Sequence, residues 1–417
     1  MQTTAPREVV PDGPLLAPSD QRLPPLLERA QVKAFRNGTD RTVPPEQTVA
    51  RMRPLLPAMG ITRLADVTGL DVVGIPTVCA VRPLSRNLVV SQGKGLTLAA
   101  AQASAIMECS EMWHAQRHVH PLRWGSVDEV AATAPVADVD RMLLWDEQGS
   151  PHGRQFWWVP SYDLLGGTRR WVPYEAVHCD GRLPKASGED LFVRGSNGLA
   201  SGNSALEAVL HALYELVERD QIADWEALGV PEQAGRRIDP ATVLEPGCRD
   251  LIARFAAAGI EPMLFDLTFG FGLPTFTCVL RQPPGQLGTP RTYGQGWGTH
   301  CMPEIALARA LTEAAQYRCT IISGARDDYS RESFAEVFYN SEVLGRGDVL
   351  AAESTALRDF ACVRGPSHPT LNEDLEHVLS ALRAGGITEV DVVDYTDPDL
   401  DVAVAKVVVP GLRDGME

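Results

Sequence analysis

Acidic side chains recur at helical spacing in three parts of this 417-residue chain. Glu108 and Glu111 lie three apart. Asn203, Glu207, His211, Glu215 and Glu218 follow at spacings of four, four, four and three, which sets them on one side of a helix. Arg309, Glu313 and Gln316 repeat that geometry nearer the C-terminus. A solvated helix face normally intersperses acids with Lys or Arg, because i,i+4 pairs help and like charges repel. Here the second stretch has no basic neighbour before Arg219. Stacked carboxylates are the oxygen donors that a hard cation such as Mg²⁺ takes, commonly with a nucleotide phosphate completing its shell. A solvent-facing acidic helix is the other reading of this segment taken by itself.

The three segments share a register. Each carries X-Ala-x-x-Glu-x-x-Glu/Gln, as Ser104-Ala105…Glu108…Glu111, His211-Ala212…Glu215…Glu218 and Arg309-Ala310…Glu313…Gln316. Seventeen residues before the first Glu of each stand Ser91, Gly198 and Gly296, all expected in glycine-bearing loops. The loop Ser91-Gln92-Gly93-Lys94-Gly95 is styled like a phosphate cradle leading into a helix, although no Gly-x-x-x-x-Gly-Lys-Ser/Thr is present. One pseudo-symmetric site, with acids converging from different helices, fits the shared register better than three unrelated amphipathic helices. In the third unit Gln replaces the second acid and Arg309 is added, which suits a meeting with phosphate oxygens. His211 occupies the place of Ser104 and Arg309 in the sister repeats and is expected beside the site.

The elements that must position these groups are legible in outline. Ala205, Ala208, Val209, Ala212, Leu213, Leu216 and Val217 form a broad apolar face behind the acids, so a helix is expected from Ser204. Helices are also expected over 48–56, 240–259 and 372–384, and strands over 65–67, 77–81, 261–267, 273–281, 388–394 and 402–409. Residues 1–30, rich in Pro and polar side chains, are expected as a flexible arm, and 31–417 as a single large domain. A net charge of −16 excludes nucleic acid as the main partner. No apolar run is long enough to span a bilayer and no signal peptide opens the chain, so a cytoplasmic protein is expected. The eight cysteines are scattered without Cys-x-x-Cys and read as reduced, mostly buried thiols; neither His178-Cys179 nor His300-Cys301 has the spacing of a zinc site.

Taken together, Ser-Gln-Gly-Lys-Gly…Ala-x-x-Ser-Ala-x-x-Glu-x-x-Glu, Ser-Asn-Gly-x-Ala…Glu-x-x-x-x-x-x-x-Glu-x-x-Glu-Arg and Arg-Ala-x-Thr-Glu-x-x-Gln-x-Arg resemble the YcaO family over roughly Arg41 to Pro410. The resemblance implies an α/β (α+β) fold, with pseudo-repeated loop-helix units packed on mixed sheets around a Mg-ATP site. It implies ATP-dependent activation of a peptide backbone amide, giving azolines, thioamides or amidines. It assigns Glu108, Glu111, Glu207, Glu215 and Glu218 to metal, and Asn203 and Arg219 to the nucleotide. Lys94 and Ser104 of the first unit are placed with the nucleotide too. Arg41 and Thr48 match a basic residue and a hydroxyl that the family uses seven apart, with Arg for Lys and Thr for Ser. A late phosphate-binding arginine is matched by Arg318, with Arg309 as its rival on the opposite side of the helix. No Cys/His/Asp triad is evident. The chain lacks the Pro-x-Pro-x-Pro ending of azoline formers. Its ending, with Gly60-Ile61-Thr62-Arg63 and Thr68-Gly69-Leu70-Asp71, resembles members that act with a TfuA-like partner in thioamide formation, or stand-alone amidine formers. The partners implied are a precursor peptide, a TfuA-like sulfur-delivery protein or a separate leader-binding protein, and a second copy in a homodimer. A non-catalytic scaffold that binds ATP and peptide is the reading from another class.

Overall fold

The computed structural model describes residues 19–146, 149–183, 185, 188, 190–282, 294–400 and 402–415. Helix α1 (Ser19–Glu28), the hairpin β1 (Phe35–Arg36) and β2 (Asp40–Arg41), and helix α2 (Pro45–Met52) come first. A three-stranded sheet of β3 (Arg63–Asp66), β4 (Thr77–Val81) and β5 (Val90–Lys94) then carries helix α3 (Leu98–Ala115). Next come β6 (Arg123–Ser126), the short α4 (Val127–Ala131), β7 (Gln155–Asp163) and β8 (Thr168–Pro173). Strand β9 (Leu199–Gly202) feeds the long α5 (Ala205–Glu226). After α6 (Val230–Ala234) comes a four-stranded sheet of β10 (Arg237–Ile238), β11 (Glu261–Asp266), β12 (Thr275–Arg281) and β13 (Gln295–Thr299). Helices α7 (Pro246–Ala257) and α8 (Pro303–Ser323) cover it. Then α9 (Arg331–Tyr339), α10 (Ser341–Glu353), α11 (Leu371–Ala384), β14 (Asp391–Asp394) and β15 (Ala403–Val408) complete the chain. The last two strands join the early ones in a six-stranded sheet of order β6-β7-β14-β15-β9, with β8 also on β7.

Every ladder between these strands is antiparallel. The fold is therefore α+β, built on antiparallel sheets where mixed ones were expected. Among the described residues no helix is long and apolar enough to cross a membrane.

The repeat is physical, but its first half is strand and not loop. Ser91 lies in β5 and Gly296 in β13, while Gly198 makes the turn just before β9. The glycines serve close packing. A Cβ on Gly93 would stand 2.1 Å from Ala101 O and Ala105 N of α3; one on Gly296 would stand 2.3 Å from Ala314 N of α8. Each helix thus lies backbone to backbone on its strand, with Ala as the facing residue, which fixes the angle at which the helix presents its acids. Helix α5 is buried on nearly every side: its apolar face packs on α1, α11 and the six-stranded sheet, and Glu207 and Glu218 are buried as well. The side that read as a solvent face is an interior wall.

Three boundaries differ from expectation. Residues 1–18 of the expected arm lie outside the described residues, and the rest of it includes α1, whose Leu23 and Leu27 enter the α5 core. Pro24 and Pro25 hid that helix in the sequence. The helix expected over 240–259 starts instead at Pro246, where the Glu245 side chain accepts from Cys248 N at 2.6 Å and caps it. The helix expected over 48–56 starts earlier, at Pro45, and passes into a 3₁₀ turn after Met52.

Candidate nucleotide and metal cleft

The three strand–helix units face one another across a cleft of about 680 Å³. Helix α3 contributes Ser104, Glu108 and Glu111; α5 contributes Glu207, His211, Glu215, Glu218 and Arg219; α8 contributes Arg309, Glu313 and Gln316. Lys94 enters from β5, Asn203 from the turn before α5, and Arg41 and Thr48 from the N-terminal segment. Every sequence-predicted site residue except Arg318 lines this one space.

Asn203 and its neighbours form a connected network. Glu207 Oε1 accepts from Thr42 N and Thr42 Oγ1, both at 2.6 Å, and Oε2 accepts from Asn203 N and Nδ2, both at 2.9 Å. Asn203 Oδ1 in turn accepts from Thr48 Oγ1 at 2.8 Å and from Arg51 Nη2 at 2.7 Å. Glu207, expected as a metal ligand, lines the cleft with its oxygens engaged by four donors, and in this arrangement it braces Asn203 and the segment around Thr42.

The remaining acids are less satisfied. Glu111 gives only Oε1 to the protein, accepting from Ser201 N at 2.8 Å and Ser201 Oγ at 2.7 Å. Glu218 is 2% exposed, and its Oε2 has no partner. Glu215 lies 3.9 Å from Arg219. Burial raises the carboxyl groups of Glu108 and Glu215 to about 7, against the partial relief of Lys94 for Glu108 and Arg219 for Glu215. Glu108 is itself exposed on the cleft surface. Burial also pushes up Glu111, where Ser201 opposes it and Glu108 and Glu215 add to it, and Glu218, where Glu313 adds. Burial works on Glu313 too, but Lys94, Arg219 and Arg309 outweigh it, and this acid is held below the usual range in an ion pair with Lys94.

On the opposing side, Arg219 Nη1 and Arg309 Nε are buried without partners. Arg309 Nη1 donates to His211 Nε2 at 3.2 Å. Burial and the Arg309 charge hold His211 well below the ordinary imidazole range, so it stays neutral and accepts. His211 thus borders the site as expected. Arg318 is the correction among the arginines. It is fully buried and grips Asp71 with Nε at 2.9 Å and Nη2 at 2.8 Å, away from the cleft. Arg309 is the arginine of α8 that reaches the cleft.

Such a wall fits a divalent cation held by Glu108, Glu111, Glu215 and Glu218. The donor set is all oxygen, one buried carboxylate oxygen is orphaned, and burial strains the charged forms. The two orphaned guanidinium donors fit phosphate oxygens. Glu313, seen in the sequence at the repeat position of Glu108 and Glu215, was given no site role there, and Arg51, which donates to Asn203 Oδ1, lies one helical turn past Thr48. Phe35, Asn37, Thr39, Trp297, Arg326 and Tyr329 line the cleft through tertiary folding alone.

A family profile described as YcaO cyclodehydratase, ATP- and Mg²⁺-binding, matches residues 92–413. An uncharacterized protein in a tfuA 3' region of Rhizobium leguminosarum bv. trifolii is 37% identical over 90% of this chain and 89% of its own length. An uncharacterized protein of Methanothermobacter thermautotrophicus is 34% identical over 89% of this chain and 94% of its own. Among solved structures, a heterocyclase in complex with substrate and cofactor superposes with a TM-score of 0.76 at 23% identity, over 93% of this chain and 54% of that one. The chain thus spans about half the length of that heterocyclase. A YcaO protein from Methanopyrus kandleri, bound with AMPPCP and Mg²⁺, superposes with a TM-score of 0.72 at 22% identity, over 92% and 95% of the two chains.

Proposed function

The chain belongs to the YcaO family, and on that premise we propose that it spends ATP to convert a backbone amide of a peptide into a thioamide. The observation that carries the reading is the cleft itself: four acids on facing helices, Glu218 buried with an unpartnered oxygen, beside Arg219 and Arg309 with unsatisfied donors. Glu108, Glu111, Glu215 and Glu218 would hold Mg²⁺, which would neutralise triphosphate charge during transfer. Arg219 and Arg309 would orient phosphate oxygens, with Lys94, paired with Glu313, on the same cleft. Glu207 keeps Asn203 and Thr48 in place.

An amide oxygen is a poor leaving group. In the proposed reaction it attacks the γ-phosphorus, ADP departs and the amide proton is lost, giving an O-phosphorylated imidate. Hydrosulfide then adds to the carbon, and the C–O bond breaks with phosphate as leaving group, which leaves C=S. The cleft lining includes no cysteine: seven of the eight thiols are buried elsewhere and Cys362 is exposed on a distant turn. The sulfur is accordingly proposed to arrive from a separate donor protein. The tfuA setting of the Rhizobium relative supports that choice. Cyclodehydration is the second reading, favoured by the description of the matching profile.

Mass spectrometry of a candidate peptide incubated with the protein, ATP, Mg²⁺ and sulfide separates the two. Exchange of oxygen for sulfur is expected; loss of water would move the assignment to cyclodehydration. An unmodified peptide, with ATP turnover absent throughout, would leave a binding scaffold.

A further inference from the structure

The hairpin β1–β2 touches all three strand–helix units. Phe35, Asn37, Gly38, Thr39 and Arg41 line the cleft. At its tip Gly38 has φ +67°, and a Cβ there would meet Leu96 Cδ1 at 2.6 Å, beside the first unit. Just past it, Thr42 donates twice to Glu207 of the second unit, and Arg41 Nε lies 3.8 Å from the same carboxylate. Asp40, on the reverse side of the hairpin, turns inward and is 1% exposed. It meets Lys33 Nζ at 2.8 Å. The same ammonium lies 2.6 Å from Asp374 of α11, and both its side chain and that of Asp374 are 0% exposed. His300, which closes the third unit's strand, brings a ring nitrogen within 4.8 Å of the ligand oxygens of both acids.

Asp40, His300 and Asp374 have the donor set of a metal site, but the Lys33 ammonium lies between the two carboxylates and supplies the positive charge. The backbone on either side is laced to the start of α11. Lys33 N donates to Pro369 O at 3.3 Å, Leu371 N to Gln31 O at 2.9 Å, and Asn372 Nδ2 to Leu27 O at 2.8 Å. A short, two-residue-per-strand hairpin has little hold of its own. Its place over the cleft must come from these anchors.

We propose that Lys33, Asp40 and Asp374 form a buried clamp that positions the hairpin and so sets affinity for the nucleotide, without any of the three touching it. They are positioning residues. They act through Arg41 and Thr42, and through Thr42 on the Glu207–Asn203–Thr48 network. The inference rests on the Mg-ATP reading of the cleft.

The test compares wild-type full chain with Lys33→Met, Asp40→Asn and Lys33→Arg. Binding of a non-hydrolysable ATP analogue with Mg²⁺ is measured by calorimetry, peptide-stimulated ATP turnover by phosphate release, and amide exchange of the 35–42 segment by mass spectrometry. Lys33→Met and Asp40→Asn are expected to weaken analogue binding at least about tenfold and raise KM for ATP in step, while kcat at saturation stays within about threefold. Exchange over 35–42 should rise by about an order of magnitude, with the strands of the three sheets unchanged. Lys33→Arg should restore part of the affinity. Unchanged affinity with a loosened hairpin, unchanged exchange, or a kcat loss matching the KM change would each overturn the clamp. Should Lys33→Met fail to fold, Asp40→Asn, which keeps the side chain's shape, decides. A wild-type chain that binds no analogue would refute the nucleotide reading instead, and the exchange rates would still show whether the clamp orders the hairpin.

Discussion

Asp40 and Asp374 are as deeply buried as Glu218, yet the two groups of acids live under opposite conditions. Around Lys33 the ammonium stands between the carboxylates at 2.8 and 2.6 Å, and His368 Nδ1 lies 2.9 Å from the far oxygen of Asp374. Each carboxylate there has the ammonium at ion-pair distance, although Asp40 Oδ1 has no hydrogen-bond partner. In the cleft, Glu218 is buried with an unpartnered oxygen among Glu108, Glu111 and Glu215; Arg219 lies 3.9 Å from Glu215 and keeps an unsatisfied Nη1, while Lys94 and Arg309 are shared with Glu313 and His211. A buried charge without a partner costs several kcal/mol, so a protein keeps such a wall only if something else completes it. One region is finished by folding; the other is finished by a ligand.

The largest effect should come from breaking the cleft. Glu215→Gln is expected to cut peptide-stimulated ATP turnover at least about 100-fold, the scale of losing one preorganised electrostatic contact. The ligand-free variant should unfold at the same temperature as wild type or higher, since a strained charge has been removed. Unchanged turnover would sink the metal assignment. The clamp should answer with the opposite sign on stability. Lys33→Met leaves Asp40 without its ammonium and Asp374 with only its His368 contact, and is expected to cost about 3–5 kcal/mol in denaturant unfolding. A variant as stable as wild type would mean that the two regions do not differ as argued.

A smaller effect separates the two arginines of α8. Arg309→Ala should weaken binding of Mg²⁺ with an ATP analogue about tenfold, or about 1.4 kcal/mol, with little change in melting temperature. Arg318→Ala should do the reverse. It strands Asp71, whose carboxylate takes both of its charged hydrogen bonds from that guanidinium, and lowers the melting temperature while analogue affinity in the folded protein is kept. Affinity loss from Arg318→Ala with stability intact would restore the assignment that the family resemblance implied.

These arginines also mark the limit of what spacing could reveal. The acids were legible because a helix period and a shared register are local properties. Glu108, Glu111, Glu215 and Glu218 needed only their own segments to be seen. Strands such as 77–81 were legible for the same reason, and β4 spans that range. Arg318 and Arg309 lie on opposite sides of one helix, and no local rule tells which side meets Asp71, 247 positions away in the chain. Glu207 sits in perfect register with the metal-facing acids, yet its role is set by Thr42, 165 positions away. The glycines Gly93 and Gly296 suggested loops because glycine is common in turns; in the fold they are strand residues that let a helix approach, a need that only the packed partner creates. Lys33 and Asp374, 341 residues apart, carried no signal at all.

The smallest effect is a proton. In the ligand-free cleft burial raises Glu215 to about 7, while an unfolded glutamate titrates near its ordinary value. A raised folded value means that the native state binds more protons between the two values. The cleft's contribution to ligand-free stability is therefore present at pH 4.5 and lost as pH climbs through about 7. A cation beside the carboxylate needs it ionised, so binding of Mg²⁺ with nucleotide should expel on the order of one proton at pH 7. Calorimetry in two buffers of different ionisation enthalpy measures that number directly. The release from Glu108 and Glu215 should shrink toward zero by about pH 9, about two pH units above their raised values, and should shrink at pH 7 in Glu215→Gln. Proton release that persists undiminished in Glu215→Gln would place the linked group elsewhere and leave the cleft acids no emptier of positive charge than the clamp.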